Sequence, residues 1–135
     1  MTTAEYLRTL ALTARLSLRP FRPRPSASLN KILILGYAAI GDFLFFLPDI
    51  EELKRRLPKA RLTFLANDSA VTKEIIPATG LIDDVWLFDW EGPRAAAERR
   101  SINEKIAQAG FDAALLTLSS PAHYFQEGLS RTAGQ

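Results

Sequence analysis

The stretch from Asn30 to Leu57, NKILILGYAAIGDFLFFLPDIEELKRRL, constrains the fold more than any other part of the chain. Ile32 to Leu35 are four consecutive large aliphatic residues with no polar alternation, which suits a strand covered on both faces. After a small-residue turn the spacing changes. Phe43, Phe46, Leu47, Ile50, Leu53 and Leu57 recur at three- and four-residue steps, the period of one helix face, and the charged residues fall mostly between them. A strand feeding a helix through a glycine-containing turn puts that turn at the carboxyl edge of a parallel sheet, where open α/β folds bind ligands. Gly41 and Asp42 open the expected helix, and Asp42 is the only good candidate for chemistry.

The alternation continues along the chain. Strands are expected at about residues 31–35, 61–66, 84–88 and 112–118, and helices at about 42–57, 70–76, 94–109 and 122–129. Pro48 predicts a kink or a restart within the first helix, and Pro58 stops it. Pro77 is expected to end the second helix, Gly92-Pro93 to open the third and Gly110 to close it. Four strand–helix units in strict order predict an α/β fold, a Rossmann-like parallel sheet with flanking helices and right-handed crossovers. Four strands are few for a complete doubly wound domain, so the chain is expected to be the first part of a larger protein.

Residues 1–28 read as a separate segment and residues 29–135 as the α/β domain. Leu7, Leu10, Ala11, Ala14 and Leu18 share one face of a potential helix with Arg8, Arg15 and Arg19 off it, and three prolines between Pro20 and Pro25 make an extended linker. Residues 1–31 carry six basic residues and one acid, a charge of +5, whereas residues 32–135 carry eleven basic and fourteen acidic residues, a charge of −3. The basic character therefore belongs to the extension, which predicts a contact of residues 4–24 with an anionic membrane surface or a loosely held terminus. No nucleic-acid partner is expected for the mildly acidic body. The chain has no cysteine and a single histidine, His123, which excludes thiolate chemistry and a multi-histidine metal site within it. No apolar run approaches the roughly 20 residues that span a bilayer, and Arg8 and Arg15 interrupt any secretory-type core. A cytoplasmic location, peripheral on the inner face of the cytoplasmic membrane, is the expectation.

The turn Gly36-Tyr37-Ala38-Ala39-Ile40-Gly41-Asp42 fails both nucleotide fingerprints. Ala38 stands where a dinucleotide motif needs its second glycine, and Asp42 and Phe43 stand where a Walker loop needs Lys and Ser/Thr. An aspartate here repels a phosphate. By pattern alone Asp42 is either a helix cap or a catalytic carboxylate.

Three blocks tip that balance. KILILGYAAIGDFLFFLPDIEELKRRLPKARLTFLA, GLIDDVWLFD and GFDAALLTLSSPAHYFQEGLSRTAGQ occur in the order and spacing of the N-terminal domain of glycosyltransferase family 9, the lipopolysaccharide heptosyltransferases, and the chain resembles that family from Lys31 onward. The resemblance implies the acceptor-binding half of a two-domain GT-B enzyme. Such an enzyme transfers heptose, with inversion and without a required metal, from an ADP-activated donor to a lipid A–core acceptor. The family's base is the aspartate of its Gly-Asp motif, which falls on Asp42. The turn residues Tyr37, Ala38, Ala39 and Gly41, with His123 after the fourth strand, become candidate acceptor contacts. No cofactor is implied; the nucleotide-diphosphate sugar is a substrate held by the second domain, and these residues alone are expected to have no transferase activity. The chain departs from the family at Gly36, where Lys or Arg is frequent, and at Ala38 and Ala39, where hydroxyl residues are. Its acceptor is therefore expected to differ.

The remaining candidates have plainer roles. Asp83, Asp84 and Asp89 read as a solvated strand boundary, Trp86 and Trp90 as packing rings, and Lys54-Arg55-Arg56 and Arg99-Arg100 as solvated helix faces. A non-catalytic, membrane-associated Rossmann-like binding module is the competing reading, and a dinucleotide-binding oxidoreductase domain is disfavoured by the missing glycine.

Overall fold

The computed structural model describes residues 29–36, 39–89, 95–117 and 122–132. The expected extension (1–28), Tyr37, Ala38 and Trp90 lie outside the described residues. Four strands form one sheet: β1 (Lys31–Leu35), β2 (Arg61–Asn67), β3 (Asp84–Phe88) and β4 (Ala113–Leu116). The order is β3-β2-β1-β4 and every pairing is parallel, so the fold is the α/β Rossmann-like layer the sequence predicts. Between the strands lie α1 (Ile40–Arg56), a π-turn (Val71–Ile75) running into the short α2 (Ile76–Ala78), and α3 (Ala95–Ala109). A 3₁₀ turn (Ala122–Phe125) and α4 (Gln126–Thr132) follow β4.

Alternation along the strands builds two cores. Ile32, Ile34, Leu62, Phe64 and Ala66 point to one face and pack with Phe43 and Ile50 of α1 and with Ile76. Leu33, Leu35, Leu65 and Phe88 point to the other and pack with Ile106, Phe125 and Leu129. Burying the sheet on both faces is why the strands read as continuous apolar runs. Two edge-to-face ring pairs, Phe43–Phe64 at 6.0 Å and Phe88–Phe125 at 5.1 Å between centroids, fix α1 to one face and the 3₁₀ turn before α4 to the other.

Several local expectations change. α1 starts at Ile40, not Asp42, and runs unbroken through Pro48. Pro77 does not end its helix: the helical run continues from the π-turn through Pro77 to Ala78. β4 is shorter than expected because Asp112 leaves the strand path. Its carboxylate accepts the N–H groups of Asn30 (2.8 Å) and Lys31 (2.9 Å) and clips the chain start to the sheet. Asp83 and Asp84 are not free in solvent. Asp83 accepts from Lys54 Nζ (2.9 Å) and the Leu62 N–H (2.7 Å), and Asp84 from the Arg61 guanidinium (2.7 and 3.1 Å). Nor are all the helix cations solvated. Lys54 is held by Asp83 and by the Ala60 carbonyl (2.9 Å), and the Arg99 guanidinium lies 4.2 Å from the Tyr124 ring centroid.

Candidate functional site

Strand order reverses between β1 and β4, because β1 leads to β2 on one side while β4 lies on the other. In doubly wound sheets the carboxyl ends of such a pair diverge into a crevice. The register Leu35↔Leu116 brings the next residues, Gly36 and Thr117, side by side at its floor. Thr117 donates its N–H to the Leu35 carbonyl at 3.1 Å and Gly36 donates to Leu65 at 3.2 Å, so both are fixed by the sheet.

Gly36 is buried, and a Cβ there would lie 3.0 Å from Thr117 Cγ2, 3.1 Å from Thr117 Oγ1 and 3.3 Å from Phe64 Cζ. A side chain at this position would press on Thr117 and Phe64. Two-residue alternation puts Thr117 on the face of Ile34 and Gly36. Thr117 is only 7% exposed, and among the described residues its Oγ1 has no hydrogen-bond partner.

α1 follows β1 at this edge of the sheet. Ala39 is its N-cap, in extended conformation, and the first intrahelical bond runs from the Phe43 N–H to the Ala39 carbonyl (3.0 Å). No side chain caps the helix. The N–H groups of Ile40, Gly41 and Asp42 therefore face outward at the positive end of a 17-residue helix. The capping role for Asp42 is corrected here: it is the third helical residue, half-buried, and its carboxylate engages none of these donors.

Its direction follows from the helix period. Phe43 points into the sheet and Lys54 reaches Asp83 at the foot of β3. A rotation of about 100° per residue turns Asp42 to the opposite flank of α1, the β4 side. Gly41 is exposed and a Cβ there would meet nothing within 4 Å, so space within the fold does not require glycine. His123 falls in the 3₁₀ turn after β4, at the same edge of the sheet.

Two concavities among the described residues lie apart from Asp42. A cavity of about 250 Å³ is lined by Asp68, Leu87, Phe88, Asp89, Glu98 and Ile102 at the carboxyl ends of β2 and β3. Its carboxylates are partly engaged, Asp68 with Lys73 (2.5 Å) and Glu98 with the Asp89 N–H (3.1 Å). A groove of about 320 Å³ beside α3 and α4 is lined by Arg100, Asn103, Glu104 and Glu127. Among the described residues no three His, Cys, Asp or Glu side chains form a metal-binding group, and no helix is long and apolar enough to cross a membrane.

Outward N–H donors beside one carboxylate suit a group that both accepts and donates hydrogen bonds. A neutral hydroxyl does both, whereas a phosphate takes the donors and is repelled by Asp42. Thr117 is the residue that sequence reasoning passed over; the available signal was a single polar residue closing the apolar run Ala113 to Leu116. Comparison with known proteins finds no matching family model, no similar curated protein and no similar solved structure.

Proposed function

We propose that this chain is the acceptor-binding part of an inverting glycosyltransferase of the heptosyltransferase type, with Asp42 as general base. The observation that supports the reading is a half-buried carboxylate in the first turn of α1 that caps no helix donor, in a parallel sheet whose strand order reverses between β1 and β4. The resemblance in three ordered blocks adds to it. In this reading a hydroxyl of a lipid-linked glycan lies against the N–H groups at the start of α1 and donates its proton to Asp42. Its oxygen attacks the anomeric carbon of the donor sugar as the bond to the nucleotide diphosphate breaks, inverting that centre and leaving Asp42 protonated. A second domain holds the donor and stabilises the departing diphosphate.

The test is a transfer assay on the complete gene product with ADP-heptose and a lipid A–core acceptor. Asp42→Asn keeps the shape and removes the base, so kcat falls by about 10²–10⁴-fold with little change in the acceptor KM. An unchanged kcat refutes the assignment.

A second reading, a membrane-surface binding module, is favoured by a different observation. Ile40, Leu44 and Phe45 in the first turns of α1 are 52%, 53% and 72% exposed. Both readings place the protein at a lipid surface, and they differ in whether Asp42 performs chemistry.

A further inference from the structure

We infer that residues 4–18, which lie outside the described residues, dock as a helix on their own domain, along the β4 side of α1. The inference concerns an interaction surface and does not depend on whether Asp42 performs chemistry. Its first support is an uncovered strip of sheet. The register Ile34↔Leu115 puts Leu115 on the same face as the core that α1 covers, yet Leu115 is 41% exposed. Parallel sheets are covered on both faces, and among the described residues this part of β4 lacks its covering element.

The second support is where the preceding chain enters the domain. Leu29 packs against the core on the α1 face, and Asp112 at the foot of β4 holds the N–H groups of Asn30 and Lys31. The segment before Leu29 therefore arrives on the α1 face, at the amino end of the uncovered strip. The ten residues 19–28 form the proline-rich linker. At about 3.1 Å per residue they reach about 31 Å, more than twice the length of a four-residue strand.

Charge selects the occupant and its direction. Asp42 and Asp49 are seven residues apart in α1, which places them within about 20° of each other on the β4 side and about 10.5 Å apart along the axis. Among the described residues neither carboxylate has an ion-pair partner. Arg8 and Arg15 have the same seven-residue spacing. In a helix they lie about 90° round from the centre of the stripe formed by Leu7, Leu10, Ala11, Ala14 and Leu18. With that stripe on Leu115 and the helix parallel to α1, the hand of the α-helix turns both arginines toward α1, in step with Asp42 and Asp49. Laid antiparallel, the same helix turns them away. The parallel direction also brings residue 18 back toward the amino edge, where the linker leads to Leu29.

The chain contains no cysteine, so an introduced pair reports the contact by disulfide formation. In the full chain carrying Ala11→Cys and Leu115→Cys, mild oxidation is expected to close an intramolecular disulfide. In the control pair, Thr9→Cys with Leu115→Cys, residue 9 is turned about 160° round the helix, and closure should be at least about tenfold slower. Adding Arg8→Glu and Arg15→Glu to the first pair should slow its closure about twofold to thirtyfold, the range for two exposed ion pairs, and Asp42→Lys with Asp49→Lys should then restore it.

Equal rates for the two cysteine pairs would overturn the docking and leave the segment to a lipid surface. Disulfide-linked dimers in place of the intramolecular bond would overturn it in favour of a second copy on the strip. A charge reversal that changes nothing, or that the reversed aspartates do not rescue, would overturn the pairing with α1.

Discussion

Three aspartates just before or at the start of strands hold the amino-terminal edge of the sheet, opposite the candidate site. Asp112 clips Asn30 and Lys31, Asp84 pairs with Arg61, and Asp83 joins Lys54 of α1 to the Leu62 backbone. For Asp83, partial burial pushes the carboxyl up. The Lys54 hydrogen bond, the Leu62 N–H and the charges of Lys54 and Arg61 outweigh it and leave the group below the usual carboxylate range. For Asp84 the Arg61 hydrogen bond is the main cause of a downward shift, opposed by burial. A folded pKa below the unfolded one gives stability that is present above the ordinary value of about 4 and lost as pH falls through the lower folded value. Both side chains are more than a third exposed, so solvent screens the pairs and each contributes about 0.2–1 kcal/mol. The double variant Asp83→Asn, Asp84→Asn should therefore lose about 0.4–2 kcal/mol at pH 7 and lose less than the parent between pH 5 and pH 2. Urea midpoints across that range check this, and parallel pH slopes for the two proteins would refute it. The sequence reads these aspartates as solvated because no local pattern reveals Lys54 and Arg61, which lie 29 and 23 residues away.

At the scale of elements, β1 and β3 were legible to the residue because apolar runs end at turn signals on both sides. The start of α1 was not, since Ala39 and Ile40 carry no capping side chain and the pattern first becomes visible at Gly41-Asp42. The π-turn before α2 has no periodic signature. The contact of α3 with α4 depends on residues that a local reading cannot pair. Asn103 of α3 donates to the Arg99 carbonyl (2.9 Å) and to the Tyr124 carbonyl (3.0 Å), and accepts the Gly128 N–H (2.8 Å). Gly128 lets the helices meet, because a Cβ there would lie 2.9 Å from the Asn103 carbonyl oxygen and 2.9 Å from Ile106 Cβ. Neither atom is the free end of a flexible chain, so the strain cannot be relieved by a rotamer change. Gly128→Ala is expected to destabilise by about 1–3 kcal/mol despite the better helix propensity of alanine. Chemical denaturation measures it, and a neutral or stabilising result would show that α4 shifts freely on α3. The candidate site follows the same division. Asp42 stood out from its turn, but Thr117 read as one more strand residue until the register put it beside Gly36.

The whole molecule separates its surface features by edge. The amino-terminal edge carries ion pairs, while the carboxyl edge carries Asp42 and, on the same first turns of α1, the exposed Ile40, Leu44 and Phe45. That arrangement puts an apolar patch beside the proposed acceptor hydroxyl, as a lipid-linked substrate requires if its sugar is to be reached from the bilayer surface. Charge divides differently, with +5 in residues 1–31 and −3 in the remainder. Two distinct forces are therefore available at an anionic surface: salt-sensitive attraction of the extension, about 1 kcal/mol per basic residue close to the bilayer, and salt-insensitive burial of the α1 patch. Burying one phenylalanine side chain contributes about 1.5–3 kcal/mol, enough for a tenfold or greater change in partitioning. Pelleting with vesicles of mixed zwitterionic and anionic lipid separates the two. Removal of residues 1–28 should abolish most of the binding that disappears in high salt, and Phe45→Ser should abolish most of what survives it. If the parent and both variants pellet equally at every salt concentration, neither the extension nor α1 makes the contact, and the lipid-surface element common to both functional readings fails.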